Sequence, residues 1–131
     1  MRSKFLNRLL VEELSPDLWR LTGALRYQSN ILNSVITAPE GFVTDFDSIP
    51  KWLPVTNILL KGIARRAAVI HDWLYQTHNC ESKHQADKIF LEAMKSLSVS
   101  SPKRWTVYTA VKLFGGSSWK SGPKRLKLLG N

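Results

Sequence analysis

Apolar residues change their spacing partway along the chain. In the first part they come in short runs broken by turn formers, and from Lys61 onward they recur at intervals of three and four. Leu18-Trp19-Arg20-Leu21-Thr22 follows the turn signal Ser15-Pro16-Asp17 and ends near Gly23, which predicts a strand. Ala24-Leu25-Arg26-Tyr27 predicts the next. Val35-Ile36-Thr37-Ala38, then Pro39-Glu40-Gly41, then Phe42-Val43-Thr44-Asp45 reads as an antiparallel hairpin, two β-branched runs around a short turn. Three or four short strands are expected.

The second part reads as helical. Between Lys61 and Gln76, Ala64, Ala67, Ala68, Leu74 and Tyr75 form a stripe, with Arg65 and Arg66 off it. Ser82-Lys83-His84-Gln85 fits a capping box opening a second helix that runs to about Leu97. Ser101-Pro102 opens a third, which stops at Gly115-Gly116 and buries Trp105, Tyr108, Val111 and Phe114. Beyond Gly116 the period breaks. Strands first and helices afterwards predict an α+β fold: a short antiparallel N-terminal sheet, a three-helix C-terminal half and a basic tail. Residues 1–116 then form a single domain and residues 117–131 the tail.

Composition narrows the class. The chain has 131 residues, 44% hydrophobic and 22% charged, which fits one folded domain rather than a disordered segment. Cys80 is the only cysteine, so an intramolecular disulfide and a thiolate-rich zinc site are both excluded. No apolar run approaches the roughly 20 residues of a membrane-spanning helix, and Arg8 with Glu12-Glu13 interrupts any signal-peptide core. The expected setting is a reducing cytoplasm, or a particle assembled there. Charge is lopsided. The net charge is +9, yet residues 93–131 hold eight basic residues and no acid, while the other 11 basic residues face ten acids. Such a segment, with Lys120, Lys124, Arg125 and Lys127 at its end, points to a polyanionic neighbour, DNA or anionic lipid, or else to a merely solvated tail.

The candidate chemistry lies in polar residues that break their local pattern. His71 falls on the apolar stripe of its helix, and Asp87 falls on the stripe of Phe90, Leu91, Met94 and Leu97 in the next. A short loop between the helices makes an antiparallel hairpin, bringing Asp87 toward His71 or Tyr75. A buried carboxylate needs such a partner. An imidazole oriented by it is a competent general base, and the same three residues could equally be a structural network. Asp72 leaves His71 at about 100° and could reach a metal or substrate at the cleft edge. Thr44-Asp45-Phe46-Asp47-Ser48 crowds two carboxylates and two hydroxyls at a strand end. There Asp45 and Asp47 could hold a hard cation, or Asp47 and Ser48 could simply cap a turn. His78, Cys80 and His84 are too few and too loosely spaced for a metal centre and read as loop and cap residues.

Three ordered motifs, Phe42-Val43-Thr44-Asp45-Phe46-Asp47-Ser48-Ile49-Pro50, Ala67-Ala68-Val69-Ile70-His71-Asp72-Trp73-Leu74-Tyr75 and Ala86-Asp87-Lys88-Ile89-Phe90-Leu91-Glu92-Ala93-Met94, resemble the bacterial and phage domain-of-unknown-function 1353 family. Val107 to Gly115 looks like its closing helix. The resemblance implies a phage or prophage origin, with the protein in the host cytoplasm during infection or carried in the virion, and it brings no activity.

His71-Asp72-x-x-Tyr75 followed by Asp87 is also similar to the helical hairpin of secreted phospholipase A2 enzymes. That similarity implies that His71 activates water, Asp87 orients it, Tyr75 holds Asp87 and Asp72 binds calcium. The glycine-rich calcium loop and disulfides of those enzymes have no counterpart here. The reading that follows is a metal-assisted ester or amide hydrolase acting on the bacterial envelope. Its cleft would be lined by Asp45, Asp47, His71, Asp72 and Asp87, with calcium ahead of zinc as the divalent cation. The alternative is a non-enzymatic tail or baseplate component that docks on a phage or host protein through its basic tail and aromatic surface, Trp52, Trp105 and Trp119 included. A DNA-binding regulator ranks behind both.

Overall fold

The computed structural model describes residues 2–45 and 64–131. Strands β1 (Lys4–Phe5), β2 (Val11–Ser15), β3 (Leu18–Leu21), β4 (Leu25–Ser29), β5 (Ser34–Ala38) and β6 (Val43–Thr44) precede four helices: α1 (Arg65–Thr77), α2 (Lys83–Ser96), α3 (Ser101–Phe114) and α4 (Gly116–Leu128). The fold is α+β, as the spacing predicts. Among the described residues no helix is long and apolar enough to cross a membrane.

The strands form two three-stranded antiparallel sheets, ordered β1-β4-β5 and β2-β3-β6. The expected hairpin between residues 35–38 and 42–45 therefore does not form. β5 pairs with β4, setting Leu25 opposite Ala38 and Tyr27 opposite Ile36, all four buried. β6 pairs instead with β3, Trp19 opposite Thr44. The Pro39–Gly41 turn thus carries the chain from one sheet to the other. Gly41 takes a φ of 88°, which glycine adopts without strain, and its N–H donates to Leu21 O at 2.8 Å. Alternation reveals that a run is a strand but not which strand it pairs with. β2 escapes the sequence pattern for a different reason. Its Glu12 and Glu13 are exposed, and it is held by pairing to β3 with an Arg20–Glu12 ion pair at its edge.

Both sheets and the helices enclose one core containing Leu25, Tyr27, Phe42, Ile70, Leu74 and Phe90. Ser82 caps α2 as expected, its Oγ accepting from Gln85 N at 3.1 Å. In α3 the buried stripe is Val107, Tyr108, Ala110 and Val111, so Trp105 and Phe114, expected inside, face solvent. A strict three-residue step lags the 3.6-residue turn, so the two ends of that set rotate off the core face.

Glu92 of α2 ties the helical layer to the first sheet. Its Oε1 accepts from Tyr27 OH at 2.7 Å and Ser29 Oγ at 2.9 Å, and its Oε2 accepts from the N–H groups of Asn30 and Ile31. Burial, followed by the Glu92 carboxylate, pushes the Tyr27 phenol far above its ordinary range. Replacing Glu92 by Ala leaves the buried Tyr27 hydroxyl without its acceptor and turns the β4–β5 turn amides over to solvent, and should cost about 2 kcal/mol. A urea melt checks this, as a lowered midpoint at unchanged slope.

The largest departure is the C-terminal segment. Residues 116–128 are not a tail but a helix lying along α1. Gly122 makes the contact possible, since a Cβ there would stand 1.8 Å from Tyr75 O. The next residue, Pro123, has no N–H to give the carbonyl four residues back, that of Trp119. His78 supplies the donor: its Nε2 lies 2.7 Å from Trp119 O while its ring stacks on the Trp119 indole at 3.7 Å. His78 also ends α1 in the left-handed region, φ 55°. Glycine and proline made this segment look irregular in sequence, and a neighbouring helix makes good what they cost.

Candidate active site

Helix α1 carries two polar pairs spaced one turn apart on different faces, His71 with Tyr75 and Asp72 with Gln76. Each pair builds its own buried cluster.

The first cluster faces α2. Asp87 Oδ1 receives His71 Nε2 at 2.8 Å and Tyr75 OH at 2.6 Å, and Oδ2 receives Lys83 Nζ at 2.8 Å. His71 is 1% exposed and Asp87 2%. The imidazole is stacked on Phe90, with centroids 4.3 Å apart, and lies 4.1 Å from the Tyr75 ring. Lys83 also donates to Val111 O at 2.9 Å, so the ammonium joins Asp87 to the last turn of α3, where a cation suits the helix dipole.

Burial pushes the Asp87 carboxyl up. The hydrogen bond and charge of His71, then the bonds from Lys83 and Tyr75, outweigh it and hold the pKa below its ordinary value. Tyr75 is driven the other way, far above its ordinary range, first by burial and then by the Asp87 charge. Asp87 is thus an anion that only accepts, and Tyr75 a neutral phenol that donates. Nε2 of His71 must therefore carry the proton shared with Asp87, so that in the neutral ring the lone pair lies on Nδ1.

The second cluster faces β6 and α4. Asp72 Oδ2 accepts from Thr44 Oγ1 at 2.6 Å and Gln76 Nε2 at 2.9 Å. Arg125 Nη1 lies 3.2 Å from Asp72 Oδ1 and 2.9 Å from Asp45 Oδ1, and its Nη2 donates to the carbonyl and hydroxyl of Ser118. Asn131 closes the cluster. It accepts from Val43 N at 2.7 Å and donates to Val43 O and Gln76 Oε1, mimicking a further strand residue beside β6.

The predicted residues therefore divide. His71, Tyr75 and Asp87 converge, and so do Thr44, Asp45 and Asp72, but around a guanidinium. Asp45 and Asp72 as placed here do not fit a divalent cation, because Arg125 already lies between them and supplies the positive charge. Arg125 is turned inward and is no part of an anion-binding surface, whereas Lys120, Lys124 and Lys127 are exposed on α4. Asp47, Ser48 and Trp52 lie outside the described residues. Sequence reasoning missed Lys83 and Gln76. Both were visible as i, i+4 partners of acids, Lys83 before Asp87 and Gln76 after Asp72.

Residues 19–111 match the family described as "Protein of unknown function (DUF1353)". Neither the curated proteins nor the solved structures contain a match.

Proposed function

The chain belongs to the DUF1353 family, whose description names no activity, and from its own geometry we propose that it is a hydrolase in which His71 is the general base. One observation carries the reading: an ionised, buried Asp87 holds Nε2 of His71 and so leaves the basic lone pair on Nδ1. In this mechanism Nδ1 takes a proton from water while the water oxygen bonds to the carbonyl carbon of an ester or amide. The imidazolium, stabilised by Asp87, then passes that proton to the leaving group as its bond breaks. Tyr75 and Lys83 are positioning residues that fix the Asp87 carboxylate. No step runs through a cation at Asp45 and Asp72. A bacterial-envelope ester or amide as substrate, and a phage setting, belong to this proposal.

The test is turnover of p-nitrophenyl acetate and of phospholipid vesicles by wild type and His71→Ala. Turnover that falls on the order of 100-fold or more in the variant, with the melting temperature kept within a few degrees, supports the base. Absent wild-type turnover, or turnover that survives in the variant, overturns it.

A second reading has its own support in the tie from Lys83 to α3 and the 1% exposure of His71. Here the cluster is a clamp joining helices, and the protein is a non-enzymatic virion or assembly component docking through Lys120, Lys124 and Lys127. Replacing those three lysines by Gln then abolishes particle incorporation, and His71→Ala lowers the melting temperature without any activity to lose.

A further inference from the structure

Helix α2 has a second face. Asp87, Phe90 and Met94 turn inward, while Lys88, Leu91 and Lys95 line the outer side. That outer side is one wall of a groove of about 580 Å³, within the usual range of ligand sites. Arg104 and Trp105 at the start of α3 form another wall, and Asn30 and Ile31 of the β4–β5 turn with Arg2 and Ser3 complete it. The groove lies away from the Arg125 cluster, and its lining includes none of His71, Tyr75 and Asp87.

The lining has a consistent chemistry. Arg2, Lys88, Lys95 and Arg104 bring four cations, against a single carboxylate, Glu92. Both oxygens of Glu92 already receive donors from Tyr27, Ser29, Asn30 and Ile31, so the carboxylate is held by the fold and the four cations still outnumber it. Trp105, 49% exposed, meets Tyr108 at right angles with ring centroids 5.6 Å apart, and keeps about half of its surface open to other partners. Ile31 and Leu91 add apolar surface, and Ser3, Asn30 and Ser96 add hydrogen-bonding groups.

Cations beside an exposed aromatic ring suit an anion attached to a flat ring system. The cations track phosphate and the indole stacks a base, the combination that binds single strands without reading sequence. We propose that this groove binds nucleotides, the phosphate held by Lys88, Lys95, Arg104 and Arg2 and the base stacked on Trp105. A free nucleotide and a nucleotide within a single strand share this chemistry. The apolar surface of Ile31, Leu91 and Trp105 makes an acyl chain with an anionic headgroup the rival occupant, which the vesicles test.

The experiment titrates the full-length protein with adenosine monophosphate, a twelve-nucleotide oligothymidylate, and phosphatidylcholine vesicles with and without phosphatidylglycerol, followed by calorimetry. Saturable binding of the mononucleotide identifies a free nucleotide as the source, and binding of the oligonucleotide alone identifies a strand. In either case Trp105→Ala, at an exposed site, should weaken affinity about 10-fold. For the oligonucleotide, Lys88→Gln with Lys95→Gln should reduce the slope of log affinity against log salt by about 1.4, two phosphate contacts at about 0.7 each. No binding of either nucleotide probe, binding unchanged in Trp105→Ala, or binding confined to the anionic vesicles overturns the proposal. Loss of hydrolysis in His71→Ala bears on the other site alone.

Discussion

Asp87→Ala should be the most damaging single change in the helical half, lowering stability by about 3–5 kcal/mol, the cost of breaking a buried ion pair from one side. The Ala side chain leaves the buried His71 Nε2 and Tyr75 OH without their acceptor, and leaves the Lys83 ammonium with only the carbonyls at the end of α3. Set against the total of about 5–15 kcal/mol for an ordinary domain, the loss takes roughly a fifth or more of what holds the chain folded. Chemical denaturation of wild type and variant measures it directly. A fall below about 1 kcal/mol would mean that water enters and replaces the carboxylate.

The same carboxylate makes stability depend on acid. The folded-state pKa of Asp87 lies below its ordinary value of 3.8, so the folded protein holds its proton less tightly than the unfolded chain. The resulting contribution is complete above that ordinary value and is lost as pH falls through the lowered one. Wild type should therefore weaken below about pH 4, and Asp87→Asn should lack this part of the acid dependence. Melts between neutral pH and pH 2 check the difference.

Gly122→Ala should displace α4. Two effects compete: Ala favours a helix interior over Gly by about 1 kcal/mol, whereas a Cβ would stand 1.8 Å from Tyr75 O and 2.7 Å from Tyr75 C. Those atoms are backbone, inside a helix whose next side chains hold both polar clusters, so they cannot turn aside as a side-chain tip would. Overpacking therefore wins, at about 3 kcal/mol. Proteolysis should then cut near residues 116–131 first, and a variant as stable as wild type would show that the two helices separate without loss.

What could be read from the chain follows the range of each interaction. Helices α1 to α3 were legible because the three-and-four spacing and the Ser82 cap are local. The His71–Tyr75–Asp87 cluster was legible for the same reason, since a short loop between two amphipathic helices leaves one simple way to pack them. Partnership at long range was not. Val35–Ala38 and Phe42–Asp45 both look like strands, but only the sheets decide that they belong to different ones. Arg125 lies 80 residues from Asp45, and its charge looked like part of a solvated run. Helix α4 was illegible because Gly122 and Pro123 oppose a helix locally, and the compensation comes from Tyr75 and His78, far back in the chain.

That compensation makes α4 a dependent element. Its Gly116, Gly122 and Pro123 all work against an isolated helix, and its Trp119 carbonyl takes a donor from His78, where α1 ends. The segment consequently gains its structure from a surface that must already exist, and it is the part of the helical layer with least reason to form early or to persist when that surface loosens. Because Arg125 departs with it, each opening would uncover the Asp45 and Asp72 carboxylates together. The last helix thus covers a charged interior, and a single imidazole at the end of its neighbour is one of the contacts that hold it there.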